Sequence, residues 1–497
     1  MPIFVSTITT IVVFLPTIFL EGQSKLLFIP LTFTISFSLF ASFLVSRTVT
    51  PLMCLHFLRP PRLPGATGRG LRDRFMQVTQ RFFDRLDMGY QDVLHWALAH
   101  RTVVVVGVLV LFVAVLGLVP LIGSEFFPAS DESQFRVFLR APIGTRVEET
   151  EKVVVRVEQV VRHLRPEELV STVGIPAGRS AIFTGNTGPH AAQVQVYLDT
   201  PDKRTRSDVQ IVAALRPRFA GEFPGTVTYF NLGGIVNRVL NRGSQNPLEV
   251  ELLGYDFGDA QAAAREVARV MRDVPGVADV QIGREGSYPQ FSVVVERRLG
   301  GLQLPPGFRV QMGGQTAQQR EAFSSLTFMS ILALMLVYMV MASQFRSLKD
   351  PFIIMFSVPM GLIGVILALF LTRTTLSTTS FMGIIMMVGI VVSNGVLLIE
   401  YTNELRRRGL GLQEAVVRAG RTRLRPILMT SLTTICGLTP MALGWLVGGE
   451  ANAPLARAVI GGLAVSTGLT LVLIPTLYSI LEERFPRHLA AEEGSGA

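Results

Sequence analysis

The chain is poor in cysteine, histidine and charge. Its two cysteines, Cys54 and Cys436, both lie in apolar stretches, so there is neither a disulfide framework nor a thiolate metal site to build on. Charged residues make up 17% of the 497 positions, where a soluble domain carries about 25%. With 49% hydrophobic residues and a mean hydropathy of +0.43, an ordinary soluble domain is excluded. No phosphate-binding loop, nucleophile elbow or metal-ligand motif occurs, which argues against an enzyme of covalent chemistry and against nucleotide-driven transport by this chain. The apolar N-terminus has no basic n-region and no Ala-x-Ala site, so it does not read as a signal peptide. The net charge of +9 is not interleaved with aromatics, and basic loops facing anionic lipid explain it better than nucleic acid does.

What the chain has is long apolar runs. A membrane span needs about 20 apolar residues, and eight candidates occur: Ile3–Leu20, Leu27–Leu44, Thr102–Ile122, Phe323–Ala342, Pro351–Leu371, Phe381–Tyr401, Leu428–Val447 and Leu455–Leu481. Alternate loops are basic. Arg59–Arg101 holds eight arginines and Thr402–Arg425 holds seven, whereas Glu21–Leu26, Thr372–Ser380 and Gly448–Pro454 are short and poor in base. The positive-inside rule then places both termini in the cytoplasm and 123–322 outside. Laying Pro2 on Pro426 brings Pro16 onto Pro440, Pro30 onto Pro454, Pro51 onto Pro475 and Thr9-Thr10 onto Thr433-Thr434. The first two spans therefore repeat the last two, and such parallel repeats mark transporters. The second copy follows four further spans and a basic loop, while the first follows nothing, so the sequence reads as the back half of a larger protein with two spans of the front half attached.

Between the third and fourth spans the periodicity changes. Strand-like Gln134–Pro142, a helix over Val147–Leu164, strands Val170–Pro176 and Ala191–Asp199, a helix over Ser207–Phe219 and strand Thr226–Leu232 give the order βαββαβ, a ferredoxin-like unit. A second unit runs through strand Pro247–Gly254, helix Asp259–Asp273 and strands Val277–Gly283, Gln290–Arg297 and Phe308–Gly314. It lacks a helix at Arg298–Leu304, which leaves one sheet face uncovered. The expected fold is a membrane α-helical bundle of about eight transmembrane helices plus an α+β periplasmic domain of ferredoxin-like subdomains. Its expected parts are 1–58 (a span pair), 59–101 (a basic cytoplasmic linker), 102–122 (a span), 123–245 and 246–320 (the external subdomains), 323–481 (five spans) and 482–497 (a cytoplasmic tail).

Several stretches resemble the resistance–nodulation–division (RND) efflux permeases: "GSEFFPASDESQFRVFLRAPIGTRVEET" (Gly123–Thr150), "PGVADVQ" (Pro275–Gln281), "MGGQ" (Met312–Gln315), "GIVVSNGVLLIEYTNELRRRG" (Gly389–Gly409) and "RTRLRPILMTSLTTICGLTPMALG" (Arg421–Gly444). The resemblance implies a proton-driven antiporter of the bacterial inner membrane. It also implies a homotrimer that works with a periplasmic adaptor and an outer-membrane channel and exports drugs or other amphiphiles. In three respects the chain departs from the pattern. The family's paired in-membrane aspartates would fall upstream of residue 1, the lysine that answers them is replaced by Ser393, and the docking insertion expected near 298–304 is absent.

Carried over residue by residue, the pattern gives four proton-relay candidates: Arg423, Thr430, Ser393 and Asn394. Each also has a structural role available to it. Arg423 can be a positive-inside anchor, Thr430 can bond back to its own helix, and the Ser393-Asn394 pair can be interhelical glue. Glu400 reads as interfacial. No Asp or Lys lies within the apolar part of any candidate span, so the expectation is a partial chain holding the companions of a proton carrier without the carrier. No catalytic residue, cofactor or metal is expected. Metal efflux is disfavoured because the external segment has only Met271, Met312 and the isolated His163 and His190. The alternatives are a non-transporting membrane scaffold or decayed gene product of the same fold, and an accessory subunit of protein export. A separately encoded front-half chain is a candidate partner beside the lipid bilayer.

Overall fold

Proline and glycine set where the apolar helices stop. In the computed structural model, helix α1 (Pro2–Phe14) gives way to a 3₁₀ turn over Leu15–Phe19, which contains Pro16; a proline has no N–H to continue the ladder. The structure describes residues 2–19, 22–57, 71–125, 131–142, 144–162, 169–175, 190–232, 248–253, 257–274, 277–280, 309–445 and 449–486. It divides into two units, one of residues 1–128, 323–445 and 452–497, the other of residues 129–322 and 446–451.

The first unit is helical. After α1 come α2 (Gly22–Arg47), α3 (Val49–Phe57), α4 (Leu71–Ala99), α5 (Arg101–Leu116) and the short α6 (Val119–Ile122). Among the described residues six helical stretches are long and apolar enough to cross a membrane: Phe28–Arg47, Arg101–Ile122, Ala322–Phe345, Lys349–Leu371, Thr378–Arg407 and Ala453–Arg484. These correspond to six of the eight expected spans. The first expected span is a shorter helix plus the 3₁₀ turn. The seventh, expected over Leu428–Val447, is the second half of a longer helix whose first half is basic and which ends at Ala442, with Gly444 in the left-handed region at φ 68° just beyond.

The second unit is α+β. Strand β1 (Gln134–Arg140), α7 (Val147–Arg162), β2 (Leu169–Ile175), β3 (Ala191–Leu198), α8 (Asp208–Glu222) and β4 (Val227–Leu232) follow in that order. They form one antiparallel sheet in the order β2-β3-β1-β4. Alternation in β1 puts Phe135, Val137 and Leu139 on the face that packs against Val154, Val157 and Val161 of α7 and Ile211, Leu215 and Phe219 of α8. Ser207 and Gln210 form a reciprocal capping box at the start of α8. Farther on, β5 (Leu248–Leu253) and α9 (Phe257–Arg272) lead to β6 (Arg309–Gly313), which pairs antiparallel with β5.

One expected strand is described only at its start. Residues 277–280 of the strand read at Val277–Gly283 belong to no described ladder. Asp279 sits at φ 56°, and its carboxylate accepts from Arg216 Nε at 3.1 Å and from Phe230 N at 3.4 Å. The strand read at Gln290–Arg297 and the gap at Arg298–Leu304 lie outside the described residues.

The helical unit resumes with α10 (Gly314–Phe345), α11 (Lys349–Met355), α12 (Ser357–Leu371), α13 (Thr378–Arg407), α14 (Leu412–Ala442) and α15 (Ala453–Arg484). Helix α13 starts at a capping box between Ser377 and Ser380 and is the most enclosed of the spans. Helices α12 and α15 meet backbone to backbone: a Cβ built on Gly364 would lie 2.1 Å from the Gly461 carbonyl oxygen. Only glycine permits this approach, which is the small-residue packing of membrane helices.

Candidate functional site

Ser393 and Asn394 are consecutive on α13, so they point about 100° apart and meet different neighbours. Ser393 Oγ shares a short hydrogen bond with Ser6 Oγ of α1. Asn394, buried, looks the other way, into a small cavity lined also by Ile427 of α14 and by Ser466, Thr467 and Thr470 of α15. The cavity has about 10 Å³ of room for a water centre, close to the minimum for one molecule. Thr470 Oγ1 is buried there without a hydrogen-bond partner among the described residues.

Arg423, in the basic half of α14, lays its guanidinium carbon 4.9 Å from the centroid of the Tyr401 ring, a cation–π contact. Its Nε is buried and unpartnered among the described residues, and so is Oε2 of Glu400 on α13. The two side chains lie within electrostatic reach of one another. Thr430 behaves differently. It is exposed, and its hydroxyl donates to the Ile427 carbonyl of its own helix at 2.9 Å. The four predicted residues therefore do not form one cluster. Ser393 turns to α1, Asn394 to α14 and α15, Arg423 to Tyr401, and Thr430 to the outer face of α14.

The structure also holds a polar network that the sequence reading missed, at the ends of the expected spans and not within them. Asp350, one position before the expected span Pro351–Leu371, sits in the first turn of α11 and is 1% exposed. Its Oδ2 accepts from Asn403 Nδ2 at 3.1 Å. Tyr478 donates to Asn403 Oδ1 at 2.6 Å and accepts from Arg406 Nη1 at 3.1 Å, and Arg406 pairs with buried Glu482 at 2.7 Å. The acids lie at the ends of their helices, and Asp350 is bonded to Asn403, not to Arg423 or Thr430. A signal was available: Asn403 and Arg406 are three apart on α13, and Tyr478 and Glu482 are four apart on α15, so each pair shares a face.

A second, larger cavity of about 350 Å³ lies among α1, α5, α6, α10, α12 and α13. Apart from the hydroxyls of Thr327 and Ser330, its lining is aliphatic and aromatic, including Leu116, Leu334, Ile366, Phe381 and Ile385. It offers dispersion and exclusion of water, and no donor set for a cation.

Comparison with known proteins places this geometry among relatives. The family model described as "AcrB/AcrD/AcrF family" matches residues 1–299 and 295–482. The swarming motility protein SwrC of Bacillus subtilis (strain 168) is 26% identical, over 99% of this chain and 55% of its own length. The cation efflux system protein CzcA of Alcaligenes sp. (strain CT14) is 22% identical over 97% of this chain and 55% of its own. The multidrug resistance protein MdtC of Erwinia tasmaniensis (strain DSM 17950 / CFBP 7177 / CIP 109463 / NCPPB 4357 / Et1/99) is 24% identical over 98% and 57%. A crystal structure of a heavy metal efflux pump has the same fold, with a TM-score of 0.80 at 22% identity, covering 97% of this chain and 57% of that one. The chain thus spans about half the length of the curated relatives it matches.

Proposed function

Because the chain belongs to the AcrB/AcrD/AcrF family of RND efflux permeases, we propose that it serves a proton-driven inner-membrane pump whose substrates are drugs or other amphiphiles. The observation that carries the substrate class is the apolar cavity among α1, α5, α6, α10, α12 and α13, which suits an aliphatic or aromatic group and not an ion. Met271 points the same way. It is 3% exposed, packed with Val250, Val267 and Val274, so its sulfur could ligate a soft metal only by leaving that core.

In this reading Arg423, Thr430, Ser393 and Asn394 line the route of the coupling proton. Arg423 is the strongest of the four, because its guanidinium is held over Tyr401 with one buried N–H still unanswered. Asn394 and Thr470 supply polar walls for a relay water. The sheet order β2-β3-β1-β4, with a helix after β1 and another after β3, supports a ferredoxin-like subdomain over 123–245, and the β5–β6 pair with α9 supports a smaller one over 246–320. Both termini are assigned to the cytoplasm and 123–322 to the periplasm, on the arginines of the α4 and α14 segments. The homotrimer, the periplasmic adaptor and the outer-membrane channel belong to the same proposal.

The test is accumulation of a lipophilic fluorescent dye in a pump-deficient host expressing the chain alone or beside an RND front half that carries the paired in-membrane aspartates, with and without a protonophore, run beside zinc and cobalt tolerance. Protonophore-sensitive dye exclusion with unchanged metal tolerance is expected when both halves are present, and little exclusion from the chain alone. Raised metal tolerance without dye exclusion would overturn the substrate class.

A further inference from the structure

Helices α4 and α14 run against each other at one end of the helical unit, and the charges along the seam do not match. On α14, Glu414, Arg418, Arg421 and Arg425 recur at spacings of four, three and four, so they share a face. Arg425 is answered. It donates to Asp87 Oδ2 at 2.6 Å from Nη2 and at 3.0 Å from Nε, and to Asp84 Oδ1 at 2.9 Å. One turn nearer the start of α14 the two helices touch. A Cβ on Gly420 would come within 2.5 Å of the Tyr90 hydroxyl oxygen, and that hydroxyl donates to the Leu471 carbonyl of α15 at 2.9 Å. Beyond this contact the helices part around a groove of about 900 Å³. Arg418 and Arg421 line one wall, and the α4 wall opposite offers Gln91 and His95 in place of acids. Among the described residues neither arginine has an ion-pair partner, and Glu414 is the one acid in the lining.

Depth decides what fits. The apolar half of α14 begins at Leu428, and Arg421 stands seven residues before it, about 10 Å along the axis, the level of lipid headgroups. Helix α4 exposes Trp96, Val93 and Met88, side chains suited to the interface. Two guanidiniums without an ion-pair partner among the described residues, the polar Gln91 and His95 side chains across the way and the exposed apolar side chains of α4 make a receptor for a phosphodiester whose acyl chains remain in the bilayer. We infer that the α4–α14 groove binds the headgroup of an anionic phospholipid, its phosphate on Arg418 and Arg421 and its hydroxyl donors toward Glu414. This inference rests on membrane embedding and not on the transport reading, so lipid retention and dye efflux can fail separately.

Native mass spectrometry of the detergent-purified full chain, titrated with phosphatidylglycerol or phosphatidylcholine, tests it. The unaltered protein should retain phosphatidylglycerol in preference. Arg418→Gln, Arg421→Gln and the double variant should weaken retention about five-fold per arginine removed, while Arg407→Gln, the same charge loss as either single variant but outside the groove, should leave it unchanged. Should the double variant fail to fold, Gln91→Trp fills the groove from the other wall and should also lower retention. Equal retention by the double variant or by Gln91→Trp, or an equal loss in Arg407→Gln, overturns the site. Displacement of bound lipid by excess inorganic phosphate would reassign the groove to a free anion.

Discussion

Asn403 on α13 donates to the buried carboxylate of Asp350 on α11 at 3.1 Å, and the same amide accepts from Tyr478 on α15 at 2.6 Å. One side chain thereby joins the ends of three membrane helices. A buried carboxylate is tolerated only when such donors surround it.

Replacing Asn403 with Leu takes from Asp350 its amide donor and from Tyr478 its acceptor. A loss of about 3 kcal/mol is expected, read as a lower melting temperature of the purified protein. Tyr478→Phe, which removes one hydroxyl and leaves the Asn403–Asp350 bond, should cost about 1 kcal/mol. Equal effects of the two substitutions would show that the amide is not the hub.

Gly364→Ala should be poorly tolerated, because the new methyl would meet the Gly461 carbonyl oxygen at 2.1 Å and force α12 and α15 apart. An overpacking cost of about 1–3 kcal/mol or more is expected. Gly437→Ala on α14, where nothing lies within 4 Å, should be neutral or slightly stabilising, since alanine is the better helix former. Membrane yield and melting of the two variants, measured side by side, decide the matter.

Burial, reinforced by the neighbouring Asp131 carboxylate, raises the Asp208 pKa from 3.8 to about 6. The folded state therefore binds more protons than the unfolded one between pH 4 and 6. Stability falls as pH rises through that window and stays lower above it, by about 2–3 kcal/mol from this group. Asp208→Asn keeps an acceptor for the Val209 N–H and removes the penalty. The variant should melt higher than the unaltered protein at pH 7.5, and the gap should narrow to about a third by pH 4.5 and close below the unfolded pKa of 3.8. A gap independent of pH would place the effect elsewhere.

Arg423→Ala should lower protonophore-sensitive dye efflux about a hundred-fold if the guanidinium tunes a transferred proton, with little change in melting. Arg423→Lys keeps a charge but loses the planar stack on Tyr401, so it should recover only part of the activity. Thr430→Val removes the hydroxyl proposed as a relay while sparing the backbone ladder. Its efflux should fall with no loss of stability, and unchanged efflux would leave Thr430 as a helix-bound hydroxyl only.

Much of the candidate site was legible in sequence as residue identity, and little of it as arrangement. Ser393 and Asn394 are adjacent in the chain, yet a 100° turn of the helix sends one to Ser6 and the other toward Thr470. Asp350 stands beside Lys349, one position before an apolar run. Its role depends on Asn403, 53 residues away.

By itself, the sequence determined six of the long apolar helices, the order of the strands and helices around β1, and the paired prolines of its two ends. Each of these is written in local composition or in a period of two or 3.6 residues, and a local pattern survives whatever packs against it. Only the tertiary structure decided which acids are buried and answered, which arginines stay without an ion-pair partner among the described residues, and where the helices leave room. Those outcomes depend on distances between residues far apart in the chain, set by how closely glycines such as Gly364 and Gly461 let the backbones approach.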